Sequence, residues 1–401
     1  MAPSTVIGYD RRLAARHGDN TGDAEGIQML LRRGIAVLAA ALALAAAAPA
    51  LAQQAKPAAT FTVTPVPVDV TAASAAAARD QAIVEGESHA FDMLMQRLTM
   101  RADQSRLPKI TPDQLNELVQ GFEVAHERRS SVRYLADFTV YFHADAVRQM
   151  LRNAGIGFAE TASKPVVVLP VLHDGDRVTL WEDPNPWRDA WTGATIPPGL
   201  VPFVRPLGDI TDVQAIDADA AAKGDNDKLL AVSQHYDNDD VLVTQATLKT
   251  DGAQHELDVS STRYSPSLPG SEQTWVTTTT ANAGESDADL MTRAVLDTAS
   301  QVEDAWKAAN ILDLGQSGVL TATVPAPSLQ DWVTVRDRLA AIPAVRSARL
   351  VALDRGQATV EIHYVGDPDQ FRTALAQRDL ELGGSDPDWV LQRRSVPAAS
   401  Q

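Results

Sequence analysis

From Val132 to Phe142 every second residue is apolar: Val132, Tyr134, Ala136, Phe138, Val140 and Phe142. That period of two predicts a strand with one buried face, paired with a second strand over 122–127. Upstream, Ala78, Ala82, Gly86, Ala90, Leu94 and Leu98 recur every fourth residue. This spacing predicts a long helix over 74–100 whose face is small enough at one end to lie close on a sheet. Phe61 and Val63, followed by Pro65 and Pro67, read as an edge strand over 61–70, because proline cannot donate to a ladder. Thr111-Pro112 carries the cap and first-turn proline of a second helix, expected to end near Gly121. A short helix from Asp145 to Asn153 is closed by Gly155 and Gly157. Residues 60–160 thus form one α+β unit, helix on sheet.

A continuous apolar run, Pro165 to Leu172, opens a second unit over 165–312. Without alternation, it suits a strand covered on both faces. Further strands are expected over 200–207 and 241–248, with a weaker, Thr-rich antiparallel pair over 256–264 and 274–281. A helix is expected over 227–236. Ser286 caps another, running to Asn310, with the stripe Leu290, Ala294, Thr298, Val302, Ala305 and Ala309. The third unit, 316–394, has the order strand, helix, strand, strand, helix, strand. Its last strand falls at 380–382 or 390–392, and Asp354-Arg355-Gly356 makes a hairpin turn. This β-α-β-β-α-β order is the ferredoxin-like one. The fold class expected is therefore α+β: three small α/β modules, helix on sheet, the last ferredoxin-like.

The start of the chain bears on its address. Residues 29–52 read as a signal peptide: Arg32 and Arg33, an apolar run from Ile35 to Ala48, and the small-x-small site Ala50-Leu51-Ala52 before Gln53. The run is short and alanine-rich for a membrane span, and Pro49 breaks it. Met29 stands where an initiator methionine belongs, so residues 1–28 read as a mis-assigned upstream extension. Residues 53–60 read as an Ala/Pro/Gln linker. The expected location is the periplasm or the exterior. No membrane span is expected in the mature chain.

Composition narrows the partners. The 401 residues hold 52 acidic and 35 basic side chains, a net charge of −17, and no cysteine. Disulfides, thiolate metal sites and a cysteine nucleophile are excluded. The acidity argues against a nucleic-acid partner, which needs a basic patch.

Residues about 60–310 resemble the bacterial domain of unknown function 2066 family. The resemblance rests on the Val70 to Leu98 strand-to-helix segment, with Ala78-Arg79, Ala82, Ala90, Leu94 and Arg97-Leu98. It extends to Tyr134 to Phe142, Val147 to Leu151, and Lys164-Pro165 before the apolar strand. It implies an exported bacterial protein and carries no active-site residue.

The chain holds no HExxH, P-loop, G-x-G-x-x-G or G-x-S-x-G pattern. Glu85 and His89 share a helix face, but no third ligand accompanies them, and no metal or cofactor is expected. The acidic runs at 174–176, 225–227 and 237–240 lack the twelve-residue calcium-loop pattern and read as turns or caps. The segment from Trp181 to Trp191 stands out, with three of the seven tryptophans in eleven residues. Trp181, Glu182, Asp183, Asn185, Trp187, Arg188 and Trp191 are the candidate binding residues. As a cleft wall they would stack a sugar, a glycan strand or a partner's side chain. As core they would plug the space over the 166–172 strand. The function expected is a non-catalytic binding or scaffold protein of the bacterial cell envelope, with an envelope protein or cell-wall partner. The alternatives are a periplasmic hydrolase using carboxylates paired among Glu182, Asp183 and Asp189, or a solute-binding protein.

Overall fold

The computed structural model describes Val6–Ile7 and residues 59–251, 254–311 and 316–394. The signal-peptide segment, the Met29 start and most of the 53–60 linker lie outside the described residues. The linker's end does not: Ala59–Phe61 is a 3-10 helix, and Phe61 is wholly buried. Three sheets carry the fold, each with its own helices, so the class is α+β. Among the described residues no helix is long and apolar enough to cross a membrane.

The first sheet contains β1 (Val6–Ile7), β2 (Thr62–Thr71), β3 (Val119–Arg129) and β4 (Arg133–Phe142), in the order β1-β3-β4-β2. Tyr134, Ala136, Phe138, Val140 and Phe142 all point into the core from β4. The Ala75–Leu98 helix lies across them, with Ser74 as its cap. Gly86 marks the closest approach: a Cβ there would stand 2.6 Å from the Phe138 ring. The next helix, Pro112–Leu118, is capped by Thr111 and stops three residues short of Gly121. Val119 already pairs with Phe142, so the ladder takes the backbone from the helix.

The central sheet holds β5 (Val166–Asp174), β6 (Arg177–Thr179), β7 (Phe203–Val204), β8 (Asp240–Asp251), β9 (Gln254–Tyr264) and β10 (Gln273–Thr280). Its order is β10-β9-β8-β5-β6, with β7 also beside β5. β5 runs parallel to β8 and is covered on both faces. Val166, Val168 and Leu172 meet one core with Trp187, Trp191 and the Asp287–Asn310 helix. Val167, Leu169 and Val171 meet another, with Leu229 and Val232. Two cores, one per face, are why the run shows no alternation. The strand expected over 200–207 shrinks to β7, because Pro202 and Pro206 have no N–H to give. The Asp287–Asn310 helix buries Val302, Trp306 and Asn310, so its stripe leaves the expected Ala305 and Ala309 outside.

The third sheet comprises β11 (Ser317–Ala326), β12 (Val345–Asp354), β13 (Gly356–Val365), β14 (Leu380–Gly383) and β15 (Trp389–Arg393). Its order is β12-β13-β11-β15-β14, and the chain runs strand, helix, strand, strand, helix, strand and then β15, one strand more than the ferredoxin-like pattern. Both alternatives for the last strand form. β15 takes the place beside β11, runs parallel to it, and pushes β14 to the edge.

Candidate functional site

The structure separates the tryptophans of the 181–191 segment. Trp187 and Trp191 are 0% and 1% exposed. They sit edge-to-face, 6.1 Å apart, on the Pro186–Gly193 helix, and Trp187 Nε1 donates to Thr244 O at 3.0 Å. They are core, which removes them from any cleft wall. Asn185 is also fully buried. Its Oδ1 accepts from Arg188 N–H as the helix cap, and its Nδ2 donates to the carbonyls of Pro170, Thr179 and Leu180. Those bonds fill a gap in the sheet, since β5 pairs with β7 only at 166–167 and with β6 only at 172–174. Arg188 holds Asp183 and the Trp181 carbonyl.

The carboxylates near these tryptophans, Glu182, Asp183 and Asp189, are all exposed. Glu182 is exposed, and hydrogen bonds from backbone N–H groups, its own and Leu180's, hold it below the usual carboxylate range. Asp183 is exposed and paired with Arg188. General acid catalysis instead needs one carboxyl kept protonated by burial. Glu85 and His89 also lie exposed, with Glu85 accepting from Gln81 Nε2 at 2.7 Å. Among the described residues no group of three His, Asp or Glu could hold a metal.

Trp181 remains at the surface. It is half-buried, and its Nε1 donates to Ile216 O at 2.8 Å. Gly208 closes over its ring with a φ of +73°, and a Cβ there would come within 3.0 Å of it. Positive φ and close approach together make glycine the residue that fits. On either side of Gly208 stand Leu207 and the short Ile210–Ala215 helix. This helix is inverted. It buries Asp212, which accepts from Tyr236 Oη at 2.6 Å and from the backbone N–H of Gly208 at 2.9 Å. It turns Ile210 and Val213 outward, 77% and 51% exposed, and Leu207, just before it in the chain, is 87% exposed. The spacing of three sets Ile210 and Val213 along one side of the helix. Glu182 and Asp209 border them, both exposed, and Asp209 is also held low by backbone N–H of Asp212 and Thr211. Trp181, Leu207, Ile210 and Val213, with their acidic border, form the candidate site. Sequence periodicity missed three of its members, because an inverted six-residue helix shows no core-facing stripe.

Two other features compete with it. A cleft of about 260 Å³ lies where the first unit meets the central one, lined by Met93, Arg101, Ile196, Pro198, Leu296 and Ser300 among others. Its charges are engaged in joining the units. Arg97 donates to the carbonyls of Thr60, Thr62 and Pro198, and Lys307 Nζ to those of Gln96 and Thr99. Glu303 accepts from Val201 N–H at 2.6 Å, and burial pushes its carboxyl up. On the outer strand β12, Leu350, Val351 and Leu353 are exposed. Register shifts at Arg346 and Val351 interrupt that edge, the usual protection against strand addition.

No protein family, curated protein or solved structure compared with this chain matches it.

Proposed function

We propose that this chain is an exported binding or scaffold protein of the bacterial cell envelope, and that it docks a partner protein on the Trp181–Val213 surface. The observation that carries this reading is the inverted helix. Burying Asp212 while exposing Ile210 and Val213 is the reverse of what folding alone favours, and large apolar side chains grouped at a surface mark interaction sites. Export is supported by Arg32, Arg33, the apolar run and Ala50-Leu51-Ala52. The resemblance to the domain of unknown function 2066 family fits the same address. The partner class is an envelope protein or a cell-wall component.

A photo-crosslinking side chain at Ile210, in the full chain expressed in cells, tests the reading. One reproducible protein adduct from the envelope fraction is expected, with none from the same probe at exposed Asp113 of the first unit. Equal labelling from both positions would end the docking reading.

A further inference from the structure

The charges around the Trp181–Val213 surface point to the kind of partner it takes, an inference that rests on reading that surface as a docking face. Its apolar members are Leu207, Ile210 and Val213 beside the half-buried Trp181. Two nearby arginines are spent, while exposed Arg177 stands within electrostatic reach of Glu182. Arg188 is bound to Asp183 and to the Trp181 carbonyl, and Arg205 turns inward to the carbonyls of Trp191, Thr192 and Ala194. Glu182 and Asp209 accept backbone hydrogen bonds instead, which leaves their charge facing out. Asp217 and Asp219 add two more exposed carboxylates just beyond Ile216. The whole chain carries −17. Apolar anchors of this size are filled by side chains of similar size, and a rim on which carboxylates outnumber cations steers in a cation and turns away an anion.

We infer that this surface takes a segment of a partner protein in which large apolar side chains alternate with lysine or arginine. The apolar side chains cover Leu207, Ile210 and Val213, and the cations meet Glu182 and Asp209. An anionic lipid surface is the competing occupant, and the same acidic rim repels it.

Two amphipathic peptides of equal length, one of Leu and Lys and one of Leu and Glu, provide the probes. Binding to the full chain is followed by fluorescence anisotropy at low and physiological salt. The Leu/Lys peptide is expected to bind, and the Leu/Glu peptide to bind at least about tenfold more weakly. The double variant Ile210→Ser, Val213→Ser is expected to weaken Leu/Lys binding by about tenfold with an unchanged circular-dichroism spectrum. Glu182→Gln should weaken it about two- to threefold and flatten its salt dependence, as loss of one exposed charge does. Binding of both peptides alike, or full binding by the double variant, would overturn the inference, as would binding to phosphatidylglycerol vesicles that the double variant abolishes. An Ile210 crosslink to a protein partner would still uphold docking in those cases, so the two readings fail separately.

Discussion

Trp187 fills the space between β5 and the Asp287–Asn310 helix, with its ring wholly buried and its N–H spent on Thr244. Trp187→Ala removes that volume and the hydrogen bond to the Thr244 carbonyl. A loss of about 3–5 kcal/mol is expected, read as a lower urea midpoint. An unchanged midpoint would return Trp187 to the surface reading. Glu303 gives the second prediction at this scale. Burial raises its carboxyl, so the folded chain holds that proton to higher pH than the unfolded chain does. The contribution is fully present below the unfolded value of 4.5 and is lost as pH rises through the raised folded value. Glu303→Gln keeps an acceptor for Val201 N–H and should remove that part of the pH dependence. Identical pH profiles for the variant and the wild type would show that Glu303 does not titrate in this range.

At the scale of elements, the small face of the Ala75–Leu98 helix decides how near it lies to β4. An alanine at Gly86 would gain about 1 kcal/mol of helix propensity. Its Cβ would also meet the Phe138 ring at 2.6 Å and the Val68 side chain at 3.0 Å. Phe138 is 1% exposed and has nowhere to move. Overpacking of this kind costs about 1–3 kcal/mol, so the net effect of Gly86→Ala is expected to be destabilising. Thermal unfolding reads the sign directly, and a stabilised variant would mean that the helix can lift off the sheet. The Ile210–Ala215 helix obeys the opposite logic: Asp212 is its buried anchor, and its apolar residues are the ones left to act.

At the scale of the whole molecule, the two joins between units differ in kind. The first unit and the central one share Arg97 and Lys307, buried side chains that donate to carbonyls, and a bridge from Ala159 to Ile311. The central and third units meet through exposed and half-exposed ions and two hydrogen bonds, from Lys164 N–H to Gln377 Oε1 and from Gln370 Nε2 to Ile311 O. Lys164 Nζ lies 2.5 Å from Asp379 and 3.2 Å from Asp239, and Arg394 lies 2.9 Å from Asp239. Ion pairs with this much solvent access weaken in salt. Lys164→Met, or high salt on the wild type, should let the third unit swing. The radius of gyration from small-angle scattering should rise while the circular-dichroism spectrum stays constant. An unchanged radius would show that the hydrogen bonds or apolar contacts hold that join.

Local pattern was enough for the elements whose periodicity follows their burial. β4 alternates because one face meets the core, β5 runs apolar because both faces do, and the 78–98 stripe is small because Phe138 lies beneath it. The caps Ser74, Thr111 and Ser286 likewise act within one turn of themselves. The export proposed above rests on a local segment as well. Long-range arrangement was not available in this way. Whether β14 or β15 would lie beside β11, which of three neighbouring tryptophans would stay at the surface, and which side of a six-residue helix would be buried all depend on partners distant in sequence. Asp212 is turned inward by Tyr236, and Trp181 is held by Ile216. Periodicity set β4, β5 and the Ala75–Leu98 helix, but only the packing of Trp181 against Gly208 and of Asp212 against Tyr236 decided that Leu207, Ile210 and Val213 stay exposed.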